Sequence, residues 1–215
     1  MCLNDLISKF QITDLANLLK GEISHAKMFP SIRSEQLKNR DLTAPPLSSA
    51  VLILLYEKSG EICFCLIKRA EDGFAHSGQV SFPGGKVEKK DVDIIHTALR
   101  EANEEVGVNL SLIKVIGQLT DLYIPPSNFI VTPILAYCNE VPNFTINKDE
   151  VQYIIECSLN TLLNEEKLKI TQMKYKDIEF VVPYFDVETE VVWGATAMIL
   201  SELKDLIVEI KKASI

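Results

Sequence analysis

SFPGGKVEKKDVDIIHTALREANEEVGV, residues 81–108, is the stretch on which the reading of this chain turns. After a Pro-Gly-Gly turn, residues 92–106 show helical periodicity. Ile95, Ala98, Leu99, Ala102 and Val106 fall on one stripe at about 100° per residue, which predicts a helix with one face in the core. Off that stripe, Glu101, Glu104 and Glu105 share an arc of about 100°. A solvated acidic face is the ordinary explanation for such a cluster, and two details weigh against it. Carboxylates in a last helical turn oppose the helix dipole, which favours cations there. Arg100 alone does not neutralise three neighbours, whereas a bound metal ion would.

Outward from this helix the chain reads as short strands with few helices. Two apolar runs, SAVLILLY (49–56) and ICFCLIKR (62–69), flank EKSGE and predict a β-hairpin. The loop AEDGFAHSGQVSFPGG then leads to the acidic helix. Further strands are expected at 112–119, 129–138 and 178–185, and further helices at 158–164 and 194–211. That mixture predicts an α/β (α+β) sandwich and not a doubly wound sheet. At the N-terminus, Leu3, Leu6, Ile7 and Phe10, then Leu15, Leu18 and Leu19, keep helical spacing. Residues 25–47 are mostly polar, with Pro30, Pro45 and Pro46, and read as a connecting arm. The expected division is an N-terminal helical arm over 1–44 and a main domain over 45–215. The amphipathic N-terminal helix offers a contact for a homodimer.

Composition removes several classes of partner. A net charge of −8 argues against a nucleic acid held on a broad basic surface. It leaves room for a small anionic ligand, because a divalent cation reverses the local sign. No run approaches the roughly 18 apolar residues of a membrane span. The opening MCLNDLISKF lacks the basic start and apolar block of a secretory signal. Five cysteines, an odd number with no CxxC pair, read as reduced thiols in a cytoplasmic protein.

The segment from Gly85 to Val108 resembles the signature of the Nudix hydrolases: Gly, five residues, Glu, seven residues, then Arg-Glu-apolar-x-Glu-Glu-x-Gly-apolar. Arg100, Glu101, Ala102, Glu104, Glu105, Gly107 and Val108 stand in place. Asp91 occupies the position of the first Glu, with eight residues before Arg100 instead of seven. The preceding CLIKRAEDGFAHSGQVSFPGG is similar to the extended motif of the coenzyme A pyrophosphatase branch. Arg69, Ala70, Gly78 and Phe82-Pro83-Gly84-Gly85 match it, while Ile67 and Phe74 replace a Thr and a second Arg. VWGATA (192–197) and the DEV at 149–151 look like further matches.

The resemblance implies a Nudix-type α/β/α sandwich with a mixed sheet, and a hydrolase that uses Mg²⁺ or Mn²⁺. Hard cations prefer oxygen ligands, so a site built from glutamates suits them. By resemblance, Glu101, Glu105 and Glu104 are metal ligands together with the Gly84 carbonyl, and Arg100 orients a carboxylate. Glu101 or Glu150 is the general base. Arg69 would hold a substrate phosphate through its planar fork, and His76 and Gln79 would line the same loop. Trp193, the only tryptophan, is expected in the core, with a place beneath the site as the alternative. The implied substrate is a small nucleotide, coenzyme A or an acyl-CoA, cut at its diphosphate to 3′,5′-ADP and (acyl-)4′-phosphopantetheine. Alternatives are the same chemistry on ADP-ribose, NADH or a dinucleotide, and a nucleotide-sensing module without turnover.

Overall fold

The apolar run at 50–56 lies at the centre of the molecule because both of its faces are buried. In the computed structural model, which describes residues 1–40, 43–71, 77–175 and 177–212, this run belongs to strand β1 (Leu47–Lys58). Ile53 and Leu55 point into one apolar cluster, and Ala50, Leu52, Leu54 and Tyr56 into another. Alternate side chains of a strand face opposite ways, so a strand covered on both sides is apolar throughout. β2 (Glu61–Arg69) returns antiparallel through a turn at Ser59-Gly60, with Lys58 opposite Glu61. The hairpin is as expected, with a tighter turn than the five-residue gap suggested.

Further strands are β3 (Val80–Ser81), β4 (Gly84–Lys86), β5 (Ile113–Gln118), β6 (Leu122–Ile124), β7 (Phe129–Cys138) and β8 (Val151–Ser158). Together with β1 and β2 they form an eight-stranded sheet. β1 runs parallel to β7 and antiparallel to β2 and β4, so the sheet is mixed. A smaller antiparallel sheet holds β9 (Leu168–Tyr175), β10 (Ile178–Val187) and β11 (Glu190–Val192). β9 was not apparent as a strand because its side chains build no apolar face; Ile170 is 72% exposed. β8 was missed for its short, interrupted alternation.

The helices are α1 (Leu3–Ile12), α2 (Glu22–Ala26), α3 (Arg33–Lys38), α4 (Ile94–Val106), α5 (Leu159–Leu163) and α6 (Gly194–Lys212). α4 buries Ala98, Ala102 and Val106 against Leu52 and Leu54 on one face of the main sheet. α1 and α6 cover the other face with Leu6, Phe10, Leu203 and Ile207. The result is an α/β/α sandwich around a mixed sheet.

Residues 1–40 do not trail from this sandwich. The apolar stripe of α1 lies in the same cluster as α6, so the face that suggested a dimer contact is covered by its own chain. The polar stretch from His25 packs too: Met28 enters the apolar cluster, and polar anchors hold the segment around it. Glu202 of α6 is fully buried and accepts from the Gly21 amide (3.0 Å), the Thr120 amide (3.1 Å) and the Thr120 hydroxyl (2.6 Å). His25 Nε2 lies 3.2 Å from Oε2, the oxygen that also takes the Thr120 amide. The Ser24 hydroxyl donates to Asp205 at 2.6 Å, and Ser201 donates to the Ser24 carbonyl at 2.7 Å. All five cysteines are free thiols, four of them buried. No helix among the described residues is long and apolar enough to cross a membrane.

Candidate active site

Helix α4 is fixed at both ends. Asp93 caps its start by accepting from the His96 amide at 2.7 Å, and Gly107 ends it in the left-handed conformation. Strand β4 crosses its last turns. There the Glu105 carboxylate, with only 1% of its side chain exposed, accepts from the Gly84 amide at 2.8 Å. Arg69, at the end of β2, places Nη1 3.5 Å from the other oxygen. Burial pushes the Glu105 carboxyl up to about 8. The Gly84 amide and Arg69 pull it down, while the charges of Glu101 and Glu150 push it further up. Glu101 is also raised, again by burial first, although Arg100 stands 2.8 Å away.

Two glycines make this packing possible. A Cβ on Gly85 would lie 2.6 Å from the Glu101 carboxylate, and one on Gly84 would lie 2.3 Å from the Ala50 carbonyl oxygen. Backbone approaches the acidic pair without a side chain between them.

Arg100 organises the rest. Its Nε and Nη2 donate to the two oxygens of Asp91 at 2.8 and 3.0 Å, Nη1 donates to Glu104 at 2.8 Å, and Nη2 also reaches the Lys86 carbonyl at 3.1 Å. Asp91 therefore closes on Arg100 despite the additional residue between them. The turn that absorbs it is held by the Asp91 amide on the Glu88 carbonyl (3.0 Å) and by the Glu88 amide on the Asp91 carboxylate (2.8 Å). Arg100 holds Asp91 well below the usual carboxylate range, and Asp91 in turn raises Arg100.

The remaining candidates fall in different places. Glu104 is half exposed and turned to cations, Arg100 and Lys90, which lower its carboxyl against the effect of burial. Glu150 is exposed; Asn147 donates to its carboxylate at 3.1 Å, and its charge reaches both Glu101 and Glu105. Its backbone carbonyl accepts from the Ala70 amide at 2.8 Å, which ties the β8 approach to the end of β2. The Gln79 carbonyl accepts from the Arg69 amide at 3.0 Å. His76, like Phe74, lies outside the described residues.

A cleft of about 470 Å³ opens beside the acidic pair and includes Arg69, Gln79, Gly84 and Gly85. Apart from Trp193, its opposite wall was not foreseen. Pro30, Arg33 and Gln36 come from the N-terminal segment, and Trp193 comes from beyond β11. Trp193 is half-buried at the cleft wall, 5.9 Å from the Phe180 ring between centroids, and not in the core. Nothing in the spacing around Arg33 marks it; only the fold brings it here.

Among the described residues, no three His, Cys, Asp or Glu side chains gather as a ready metal cluster. The donors nonetheless fit a hard divalent cation. Glu101 and Glu105 offer carboxylate oxygens whose ionisation burial opposes, and glycine backbone lies against them. A cation is what would relieve that opposition.

A mixed-sheet α/β/α sandwich with an Arg-Glu helix set under a double-glycine strand is the Nudix architecture. The family model for the NUDIX domain matches residues 46–181, and the chain belongs to the Nudix hydrolase family. It is 33% identical over 162 residues to Nudix hydrolase 15, mitochondrial, of Arabidopsis thaliana, covering 72% of this chain and 56% of that protein. It is 36% identical over 138 residues to the Nudix hydrolase NudL of Yersinia enterocolitica, covering 64% and 70%. The match thus spans little more than half the length of the plant relative. Among solved structures, a MutT/nudix family protein from Enterococcus faecalis superposes with a TM-score of 0.53 at 17% identity, over 82% of this chain and 68% of that one. That likeness concerns the fold. Nudix hydrolases generally need divalent metal ions such as Mg²⁺ or Mn²⁺.

Proposed function

We propose that this chain hydrolyses the diphosphate bond of a nucleoside diphosphate derivative, with coenzyme A or an acyl-CoA as substrate and 3′,5′-ADP and (acyl-)4′-phosphopantetheine as products. The observation that carries the reading is Glu105: a buried carboxylate pushed up to about 8, beside Glu101 and held by Gly84 and Arg69, which line a substrate-sized cleft. A structural role alone gives no reason to bury two acids together.

Glu101 and Glu105 would hold Mg²⁺ or Mn²⁺, with the Gly84 carbonyl beside them. The ion, when bound, would offset phosphate charge and acidify a water molecule. Arg69 reaches the same place from β2 and orients the diphosphate through its planar fork. Arg100 keeps α4 in register under β4 through Asp91 and the Lys86 carbonyl. Glu104, paired with Arg100 and Lys90, supports that register. Glu150 is the base we favour for the attacking water. Its carboxylate is exposed and its charge bears on the pair, whereas Glu101 lies against Arg100.

The coenzyme A branch is supported by Arg69, Ala70, Gly78 and Phe82-Pro83-Gly84-Gly85 at the branch's spacing. The cleft's apolar wall, with Val51, Phe129 and Trp193, suits a pantetheine arm or an acyl chain. The test is turnover of coenzyme A, acetyl-CoA, ADP-ribose and NADH by the purified protein, with Mg²⁺ or Mn²⁺ and then with chelator. Coenzyme A compounds should give the highest kcat/KM. A higher value for ADP-ribose or NADH would replace the substrate while keeping the chemistry.

A further inference from the structure

We propose that Arg33 is a specificity residue: it binds a second anionic group of the substrate, a phosphate monoester on the nucleoside, apart from the diphosphate that is cut. The inference extends the substrate reading above and rests on it for the identity of the substrate. It concerns a residue outside the 46–181 segment that the family model matches.

Three observations carry it. First, Arg33 is only 8% exposed and lines the cleft. Second, its charge has no carboxylate partner among the described residues. Its Nη2 donates to the Tyr123 carbonyl at 2.6 Å, the guanidinium stands 5.2 Å from the centre of the Phe29 ring, and buried Nε has no hydrogen-bond partner. Glu22 is the acidic group whose charge bears on it, from a distance. Burying a guanidinium without a counter-ion is unfavourable, and such a group is commonly completed by an anionic ligand. Third, the cation is pre-oriented: the Tyr123 carbonyl and Phe29 hold one edge and one face, so little side-chain freedom is lost when the anion arrives.

Position separates this anion from the scissile diphosphate. Lys86 of β4, Ser49 of β1, Val131 of β7 and Leu122 of β6 are successive partners across the sheet. The strand that anchors Arg33 is therefore three strand spacings from the strand beside Glu105, or about 14 Å between backbones. Arg69 already serves the diphosphate end, at 3.5 Å from Glu105. Arg33 faces the same cleft from the far wall, where a substrate with one more phosphate on its nucleoside would present it.

The experiment is equilibrium binding, which needs no turnover. Trp193 is the only tryptophan and lines the cleft, so its fluorescence reports occupancy. Adenosine 3′,5′-bisphosphate and adenosine 5′-monophosphate are titrated into the wild-type protein, Arg33→Gln and Arg33→Lys. The wild type should bind the bisphosphate about 10-fold or more tighter than the monophosphate, as one charge-assisted contact provides. Arg33→Gln should bring that ratio near unity with monophosphate affinity little changed, and Arg33→Lys should keep part of it. A merely structural Arg33 would weaken both nucleotides together and leave the ratio alone. Should the Gln variant not fold, the Lys variant carries the same comparison. No preference in the wild type, or a wild-type ratio in the variants, overturns the proposal. A ratio that depends on Arg33 in a protein that does not cut coenzyme A upholds Arg33 and removes the substrate reading; the reverse pair of results does the opposite.

Discussion

Arg100 grips Asp91 with two parallel hydrogen bonds, Nε to Oδ1 at 2.8 Å and Nη2 to Oδ2 at 3.0 Å, across a spacing one residue longer than the usual Nudix box. The fork sets how deeply α4 sits under β4, because the same guanidinium also holds the Lys86 carbonyl. Arg100→Lys keeps the charge and loses the planar fork. It should lower the thermal midpoint and reduce kcat by about 10-fold or more through misplacement of Glu101 and Glu105. Thermal melts and steady-state kinetics of this variant check the point; unchanged values in both would show that the fork is not what positions the helix.

Gly84 and Gly85 should fail in different ways when given a side chain. At Gly84 the obstacle is backbone, the Ala50 carbonyl at 2.3 Å, so Gly84→Ala should unfold part of the sheet or lower its stability by several kcal/mol, on the order of overpacking costs. At Gly85 the obstacle is the Glu101 carboxylate at 2.6 Å, which can move. Gly85→Ala should keep the fold and lose activity. Urea unfolding beside turnover separates the two outcomes, and equal loss of stability in both variants would refute the distinction.

Glu202 ties the N-terminal segment to α6. Its folded carboxyl titrates below the ordinary value: burial opposes ionisation, and the bonds from His25 and Thr120 outweigh it. An acid lowered by folding stabilises the fold above its unfolded value near 4.5, and that stability is lost as pH falls through the folded value. Glu202→Ala should therefore cost on the order of 3 kcal/mol at pH 7, because it strands the Gly21 and Thr120 donors. The difference from wild type should shrink below about pH 4. Urea titrations at pH 3.5 and 7 test this; a pH-independent difference would mean that the carboxylate's charge does not matter.

Glu105 sets the opposite sign. Folding raises its carboxyl to about 8, so in metal-free protein the buried acid lowers stability as pH rises from its unfolded value near 4.5 toward 8. Glu105→Gln should remove that decline. Parallel urea unfolding at pH 5, 7 and 9 in chelator would show it as a flatter profile for the variant, and matching profiles would argue that Glu105 ionises freely.

Much of this was legible in residues 81–108. The stripe of Ala98, Ala102 and Val106 gave the helix and its core face, and outside that stretch two apolar runs flanking EKSGE gave the central hairpin. The REAxEE segment pointed to the Glu101–Glu105 pair. What it did not reveal is how differently the three glutamates are treated: Glu105 is enclosed by β4, while Glu104 turns to Arg100 and Lys90. Helical spacing reports angle around the axis and not what crosses above it. The N-terminal segment was opaque for another reason. Beyond α1 most of its buried side chains are polar, Ser24, His25 and Arg33 beside Met28 and Pro30, so hydropathy marks it as an arm where the fold makes it a wall of the cleft. Edge strands such as β9 bury little and leave no apolar period to read.

Binding of Mn²⁺ to wild-type and Glu105→Gln protein, followed by titration calorimetry in chelator-treated samples at pH 7, bears on the central claim most directly. The account predicts a site in the wild type that releases protons as it fills, because the ion displaces the proton that burial favours on Glu105. It predicts at least about 10-fold weaker binding in the variant, with loss of turnover. Equal affinity in the two proteins, with no proton release, would contradict it.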